Sequence, residues 1–288
     1  MHPAPSVILF TSLSGLGFGL LVFLGLGLPP VTGWVAFVFW LIGYVLACGG
    51  LIASTFHLGH PERALKAFTQ WRSSWLSREA WGSVIALVLM AITGIGAVFL
   101  GARWALPGVL GALVCLGTVF ITSMIYAQLK SVPRWHSAWT PLLFLAISLA
   151  GGALLAGQAS VAVPLLLLAG AVQIVAWFAG DRAMGRSGTT LATATGLGPK
   201  VRLLAPPHTG PNYLTQEMVF VIGRKHATRL RAIALLLMSV LPVILLLLPF
   251  HHLLGLLAVL FHVAGVVVSR WLFFAEAEHV VGLYYGQR

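Results

Sequence analysis

Charge is what this sequence lacks. Only 8% of its 288 residues are Asp, Glu, Lys or Arg, and just six are acidic. A soluble domain carries about 25% charged and about 45–50% apolar residues. Here 59% are hydrophobic and the mean hydropathy is +0.97. Such a sequence can fill a large core but cannot clothe it in polar surface, which excludes an ordinary water-soluble domain. Cysteine is almost missing too. Cys48 and Cys115 both fall inside long apolar runs, which excludes a disulfide framework or a CxxC metal site and reads them as small buried hydrophobes. The apolar runs contain no polar residue at every second position, so a membrane β-barrel is excluded. No Lys or Arg precedes the first run, and that run is too long for a signal h-region, so it reads as a retained span. Gly-rich pieces such as "GLGFGLLVFLGLGLPP" follow no strand and lead to no GK[ST], which excludes a phosphate loop. Glycine inside spans lets helices approach closely.

What the sequence has is apolar runs long enough to cross about 30 Å of hydrocarbon, which takes about 20 residues of helix. Backbone groups in lipid must be satisfied within the segment, so the runs are helices. Eight are expected, over 6–28, 33–56, 80–101, 105–128, 140–157, 161–180, 232–249 and 253–275. The fold class is therefore an all-α integral membrane protein, a single membrane domain over residues 1–288.

Basic residues orient it. Arg63, Lys66, Arg72 and Arg78 lie in the second connection, and Lys130 and Arg134 in the fourth. Arg182, Arg186, Lys200, Arg202, Arg224, Lys225, Arg229 and Arg231 lie in the sixth; the opposite side holds Arg103 alone. The positive-inside rule places these connections and both termini in the cytoplasm. The net charge of +11 is mostly this topology signal. It is spread over membrane-adjacent loops without a basic domain, which argues against a nucleic-acid partner. The sixth connection, over 181–231, begins as irregular Gly, Pro and Thr-rich sequence; further on, Leu214, Met218, Val221 and Ile222 recur at helical spacing. It is expected to dock a soluble partner; the alternative is a basic strip lying on anionic lipid.

A membrane electron carrier could hold haem, which needs two histidines facing each other within the spans. Only His262 lies well inside one, and it reads as hydrogen-bonded to a neighbouring helix. A small-solute transporter would carry ionisable groups near the midplane. No acidic residue is expected well inside a span.

The second connection is unusual. Between His57 and Glu79 it gathers six charged residues and two histidines. Pro61 can start a new helix, and "ERALKAFTQW" puts Leu65, Phe68 and Trp71 on one side. Residues 57–79 are too many for a tight turn. They are expected to form a half-buried interfacial cap between spans two and three. Such a cap suits a quinone headgroup. Quinol oxidation releases two electrons and two protons, so the ring oxygens need partners that exchange protons. Histidine titrates near neutrality, and a carboxylate at the lipid boundary can relay the second proton. Trp71, Trp75 and Trp81 could wall the ring. Two other readings stay open: Trp and Arg as interfacial anchors, with Glu79 paired to Arg78 or Arg72, and another small-molecule or ion site.

"IASTFHLGHPERALKAF" followed by "SSWLSREA" resembles the DmsC-type membrane anchors of the dimethyl sulfoxide reductase family. "SVPRWHSAWTP" (131–141) and "SRWLFF" (269–274) are similar to two further motifs of that family. The resemblance implies a haem-free, multi-pass subunit of the bacterial inner membrane that itself holds no metal. It implies partners, a molybdopterin catalytic subunit and a subunit with iron–sulfur clusters; the bias of basic residues places them on the cytoplasmic side. Electrons would pass between them and menaquinone or ubiquinone. By the resemblance His57 matches a histidine tied to quinol binding, Glu79 its acidic companion, and Arg270 an arginine of the last span. Arg63, Trp71, Arg78 and the Trp135–Trp139 pair are added from their positions. The family includes enzymes that reduce sulfoxides and others that oxidise sulfite. The anchor's sequence does not fix which, because that chemistry belongs to another polypeptide.

Overall fold

The computed structural model describes residues 1–56, 59–198, 200–205, 207–208, 210, 212–219, 225–249 and 251–286. Its long helices are α1 (Pro5–Gly25), α2 (Gly33–Thr55), α3 (Trp75–Phe99), α4 (Ala105–Ala127), α5 (Trp139–Leu155), α6 (Ala159–Asp181), α7 (Ala227–Leu247) and α8 (His252–Ala275). No strand occurs among the described residues. Seven of the eight, all but α5, are long and apolar enough to cross a membrane. The fifth run forms a helix of 17 residues, roughly 25 Å at about 1.5 Å per residue. α3 begins at Trp75, five residues before the expected start, because Ser74 caps it by accepting from the Ser77 amide.

Small residues determine the packing. α1 is the central helix, enclosed by α2, α4, α5 and α8. Its neighbour α2 buries only a stripe, Ala36, Trp40, Gly43, Ala47 and Gly50, and turns Val35, Val38, Val45 and Ile52 outward. That pattern is an apolar helix with protein on one face and hydrocarbon on the other. α1 and α5 cross backbone to backbone at Gly19 and Gly152. A methyl at Gly152 would lie 2.8 Å from the Gly19 Cα, so both positions need glycine.

His262 shows how a polar group is held in the core. Pro242 of α7 has no N–H to give the carbonyl four residues back, that of Met238. A π-helical turn, Leu236–Val240, precedes it, and His262 Nδ1 lies 2.6 Å from the Met238 carbonyl. The carbonyl accepts, so Nδ1 carries the proton and the bond to a neighbouring helix is the one expected. His262→Leu removes that donor from a carbonyl in the core. Stability is expected to fall by about 1–3 kcal/mol, read as a lower thermal midpoint of the purified protein in detergent.

The bundle is fastened at one end by an ion-pair network. Arg134, before α5, donates to Asp181 at 2.6 Å and to Glu276 at 3.4 Å. Arg231 grips Asp181 with both Nη atoms, at 2.8 and 2.6 Å, and Glu276 through Nε at 2.7 Å. At the same end the Met1 amine donates to the Ala277 carbonyl at 2.7 Å, and the His2 amide to that of Glu217. The 181–231 connection is mostly irregular. It has short helices at Ala183–Arg186 and Leu191–Thr195 and a π-helical turn at Leu214–Met218. Val221 and Ile222, expected to extend that helical pattern, lie outside the described residues.

Candidate functional site

The cap is a 3-10 helix, Pro61–Phe68, with a loop leading to Trp75. Its residues are mostly exposed rather than half-buried; Leu65 and Trp71 face outward at 80% and 55%. The helix is too short to bury a continuous apolar face, so side chains of α3 hold it down. Trp81 donates from Nε1 to the Phe68 carbonyl at 3.1 Å and meets the Phe68 ring edge-on at 5.3 Å. Arg78 donates to the carbonyls of Trp71 (3.0 Å) and Arg72 (2.7 Å), and its guanidinium lies 4.4 Å from the Trp75 ring. Arg78 is thus committed to the loop rather than to Glu79.

Beneath the cap is a cavity of about 820 Å³, within the range of about 300–1,000 Å³ typical of small-molecule sites. Its walls come from α1 (Val7, Phe10), α2 (Leu51, Ser54), α3 (Leu76, Glu79, Ser83, Leu87) and α4 (Tyr126). Leu76 and Val84 also lie on the outer face of α3, exposed at 44% and 42%. The cavity therefore opens sideways, toward where lipid tails would be. Deeper down α2 and α3 are closed together: Tyr44 donates to the Leu87 carbonyl (2.6 Å) and Trp40 to that of Met90 (3.1 Å). These bonds form the floor.

Glu79 is the fifth residue of α3 and is buried, with 4% of its surface exposed. It lies near the start of α3 rather than well inside the span, and the cap-sealed start of the helix encloses it. Its Oε1 accepts from the Thr122 hydroxyl of α4, which also lies 3.0 Å from the Thr118 carbonyl. A hydroxyl has one proton for these two acceptors. The ionised carboxylate takes it. A protonated carboxyl instead donates to Thr122 and frees Thr122 to donate to Thr118. Both protonation states of Glu79 are hydrogen-bonded, which suits a group that must exchange a proton. One turn deeper, Ser83 Oγ is buried and has no hydrogen-bond partner among the described residues.

The inner wall is aromatic. Tyr126 contacts the rings of Trp135, Phe144, Phe273 and Phe274 at 5.4–5.8 Å. Trp135 stacks on Phe273 and donates to its carbonyl. Behind this wall sits Arg270, 2% exposed, its guanidinium 3.6 Å from the Phe144 ring centroid. Its Nε and Nη1 have no hydrogen-bond partner among the described residues. A cation over an aromatic face is stabilised by the ring quadrupole. Tyr126 is within electrostatic reach of both Glu79 and Arg270.

Of the residues singled out in the sequence, Glu79, Arg63 and Trp135 line the cavity, together with Leu65 and Phe68 of the cap. Arg63, largely exposed, is 3.9 Å from Glu62. Trp71 and Arg78 belong to the cap's fastening, Trp75 packs edge-on to Phe120, and Arg270 stands behind Tyr126. His57 lies outside the described residues; Gly59 and His60, which follow it, line the cavity. Thr122, Tyr126 and Ser83 were missed. They are ordinary residues of apolar spans, and only the α3–α4 pairing brings the first two to Glu79. Among the described residues no group of three or more His, Cys, Asp or Glu could hold a metal ion.

A family model described as DMSO reductase anchor subunit (DmsC) matches residues 1–286. The protein is 32% identical to the C subunit of the sulfite dehydrogenase of Allochromatium vinosum, over 99% of both sequences. It is 35% identical to the C component of the anaerobic dimethyl sulfoxide reductase of Escherichia coli, over 39% of this sequence and 40% of that one. It is 36% identical to another anaerobic dimethyl sulfoxide reductase component of the same organism, YnfH, over 42% of each. No solved structure matches.

Proposed function

The protein belongs to the DMSO reductase anchor subunit family, and from that premise we propose that it is the membrane anchor and quinone-binding subunit of a molybdopterin and iron–sulfur oxidoreductase. Electrons pass between the quinone pool, menaquinone or ubiquinone, and the iron–sulfur subunit. One observation carries the quinone site: a buried carboxyl with two satisfied protonation states, in an apolar cavity that opens sideways between α2 and α3. A flat ring fits under the cap, and an isoprenoid tail leaves past Leu76 and Val84. When bound, the quinone supplies the two-electron, two-proton couple. Glu79 holds and releases a proton beside it, in exchange with the cytoplasm. His57 donates to the outer ring oxygen, and Arg63 lies at the cap side. Trp71 and Arg78 keep the cap seated, and Arg270 sets the field at Tyr126.

The protein is proposed to cross the bacterial inner membrane eight times with both termini in the cytoplasm. Arg134 before α5 and Asp181 at the end of α6 meet at 2.6 Å, which supports α5 and α6 as an out-and-back pair. Met1 lies against Ala277, which supports an even number of crossings. The 181–231 connection then faces the cytoplasm and docks the soluble subunits. Quinone and soluble subunits share one side, so turnover separates little charge. Similarity over nearly the whole length to a component of a sulfite dehydrogenase favours electron flow from sulfite toward quinone.

The test is quinone-analogue binding to the purified complex by fluorescence quenching. His57→Ala is expected to weaken binding by about tenfold or more while the soluble subunits still assemble. Unchanged binding would move the site away from the cap.

A further inference from the structure

We propose that the Ser83 hydroxyl is the hydrogen-bond donor for the inner ring oxygen of the bound quinone, and so fixes how deep the ring sits. The inference rests on the quinone reading of the cavity above. Ser83 lines the cavity, is 3% exposed, and its Oγ has no hydrogen-bond partner among the described residues. A buried hydroxyl without a partner costs free energy. Serine in a helix usually avoids this cost by bonding to its own backbone. Neighbouring hydroxyls do so: Ser54 donates to the Leu51 carbonyl at 2.6 Å, Thr55 to that of Ile52 at 2.7 Å, and Thr93 to that of Leu89 at 3.0 Å. The Ser83 hydroxyl makes no such bond among the described residues, and the residue lines the cavity. A ligand acceptor there would satisfy it.

Its spacing identifies that acceptor. Ser83 follows Glu79 by four residues, so the two share one face of α3. Four residues at about 1.5 Å rise put them about 6 Å apart along the helix axis. That is comparable with the separation of the two oxygens on opposite corners of a quinone ring. Glu79 lies at the cap side and Ser83 deeper. A ring lying along α3 therefore meets the carboxyl at its outer oxygen and the hydroxyl at its inner one. The floor formed by Tyr44 and Leu87 stops it from sinking further. Serine is suited to the inner end because its hydroxyl can donate to the quinone carbonyl and accept from the quinol hydroxyl.

The test compares two fluorescent probes on the assembled complex: a para-quinone analogue and a matched ring lacking one of the two oxygens. Removing an unpartnered hydroxyl costs the fold nothing, so Ser83→Ala is expected to assemble normally. It should weaken binding of the two-oxygen probe by about 2- to 12-fold, the worth of one hydrogen bond. Binding of the one-oxygen probe should stay the same. Equal weakening of both probes would mean the side chain acts by packing and would overturn the proposal. So would unchanged binding of both. Ala80→Phe, which fills the cavity, separates the two levels. If it abolishes binding while Ser83→Ala does not alter it, the cavity is the site and only the serine assignment falls. If it leaves binding intact, the cavity reading falls and the serine assignment with it.

Discussion

Glu79→Gln is expected to leave the complex assembled and to slow electron exchange with quinone by about 100-fold or more. The substitution keeps the side chain's shape and its hydrogen bonds. The amide can donate to Thr122, leaving that hydroxyl to serve the Thr118 carbonyl 3.0 Å away, as a protonated carboxyl would. What it cannot do is give up a proton. General acid–base groups contribute about 10²–10⁴-fold to a rate, and Glu79 is the buried carboxyl that lines the cavity. The measurement is the rate at which a reduced quinone analogue reduces the iron–sulfur clusters, set beside the analogue's binding. Binding should change far less than the rate, because the amide still holds the ring's neighbourhood in place. A rate within a few-fold of wild type, with binding intact, would mean that the proton leaves by another group. Thr122→Val sharpens the result. It removes the partner that serves both protonation states but keeps the carboxyl, so its effect is expected to be smaller than that of Glu79→Gln.

The sequence already contained most of this architecture, for a physical reason. Hydrocarbon forces long uninterrupted helices, so observed boundaries such as Gly33–Thr55, Ala105–Ala127 and His252–Ala275 fall within a few residues of those expected from hydropathy. The exceptions are the starts of α3 and α7, at Trp75 and Ala227 rather than at 80 and 232; the fifth helix falls at Trp139–Leu155, against 140–157. Its glycines carry it against α1, and it is the shortest at 17 residues. Glu79 was legible as a candidate because a carboxylate is costly beside lipid. Its burial was not, since the Ser74 cap starts α3 early and draws it into the bundle. Thr122 and Tyr126 carry no such signal, because hydroxyls are common in spans and gain meaning only from their neighbours. Arg134, Asp181, Arg231 and Glu276 are widely separated in sequence, and no local spacing predicts their meeting.

That meeting has the second large expected effect. Arg231→Ala is expected to lower stability by up to about 3 kcal/mol, read as a lower thermal midpoint of the detergent-solubilised complex. Two acidic groups are held by two guanidiniums, and the variant leaves Arg134 to serve both. Glu276 is the costly partner. Its side chain is 4% exposed, and breaking a buried pair costs about 3–5 kcal/mol. Asp181 is 42% exposed, so its share is screened and worth about 1 kcal/mol at most. Arg134 still reaches Glu276, at 3.4 Å, which is why the loss stays at the lower end. Arg231→Lys keeps the charge but loses the two-pronged grip on Asp181, so it should fall between wild type and alanine. The damage should also reach the quinone cavity. Glu276 follows α8 directly, and Phe273 and Phe274 form the aromatic wall with Trp135 and Tyr126. Loosening that end of α8 lets the wall move, so analogue binding should weaken along with the midpoint. A lower midpoint with unchanged binding would confine the network to holding α6 and α7. An unchanged midpoint would mean that water replaces the lost guanidinium, and that Glu276 is wetter than its burial implies.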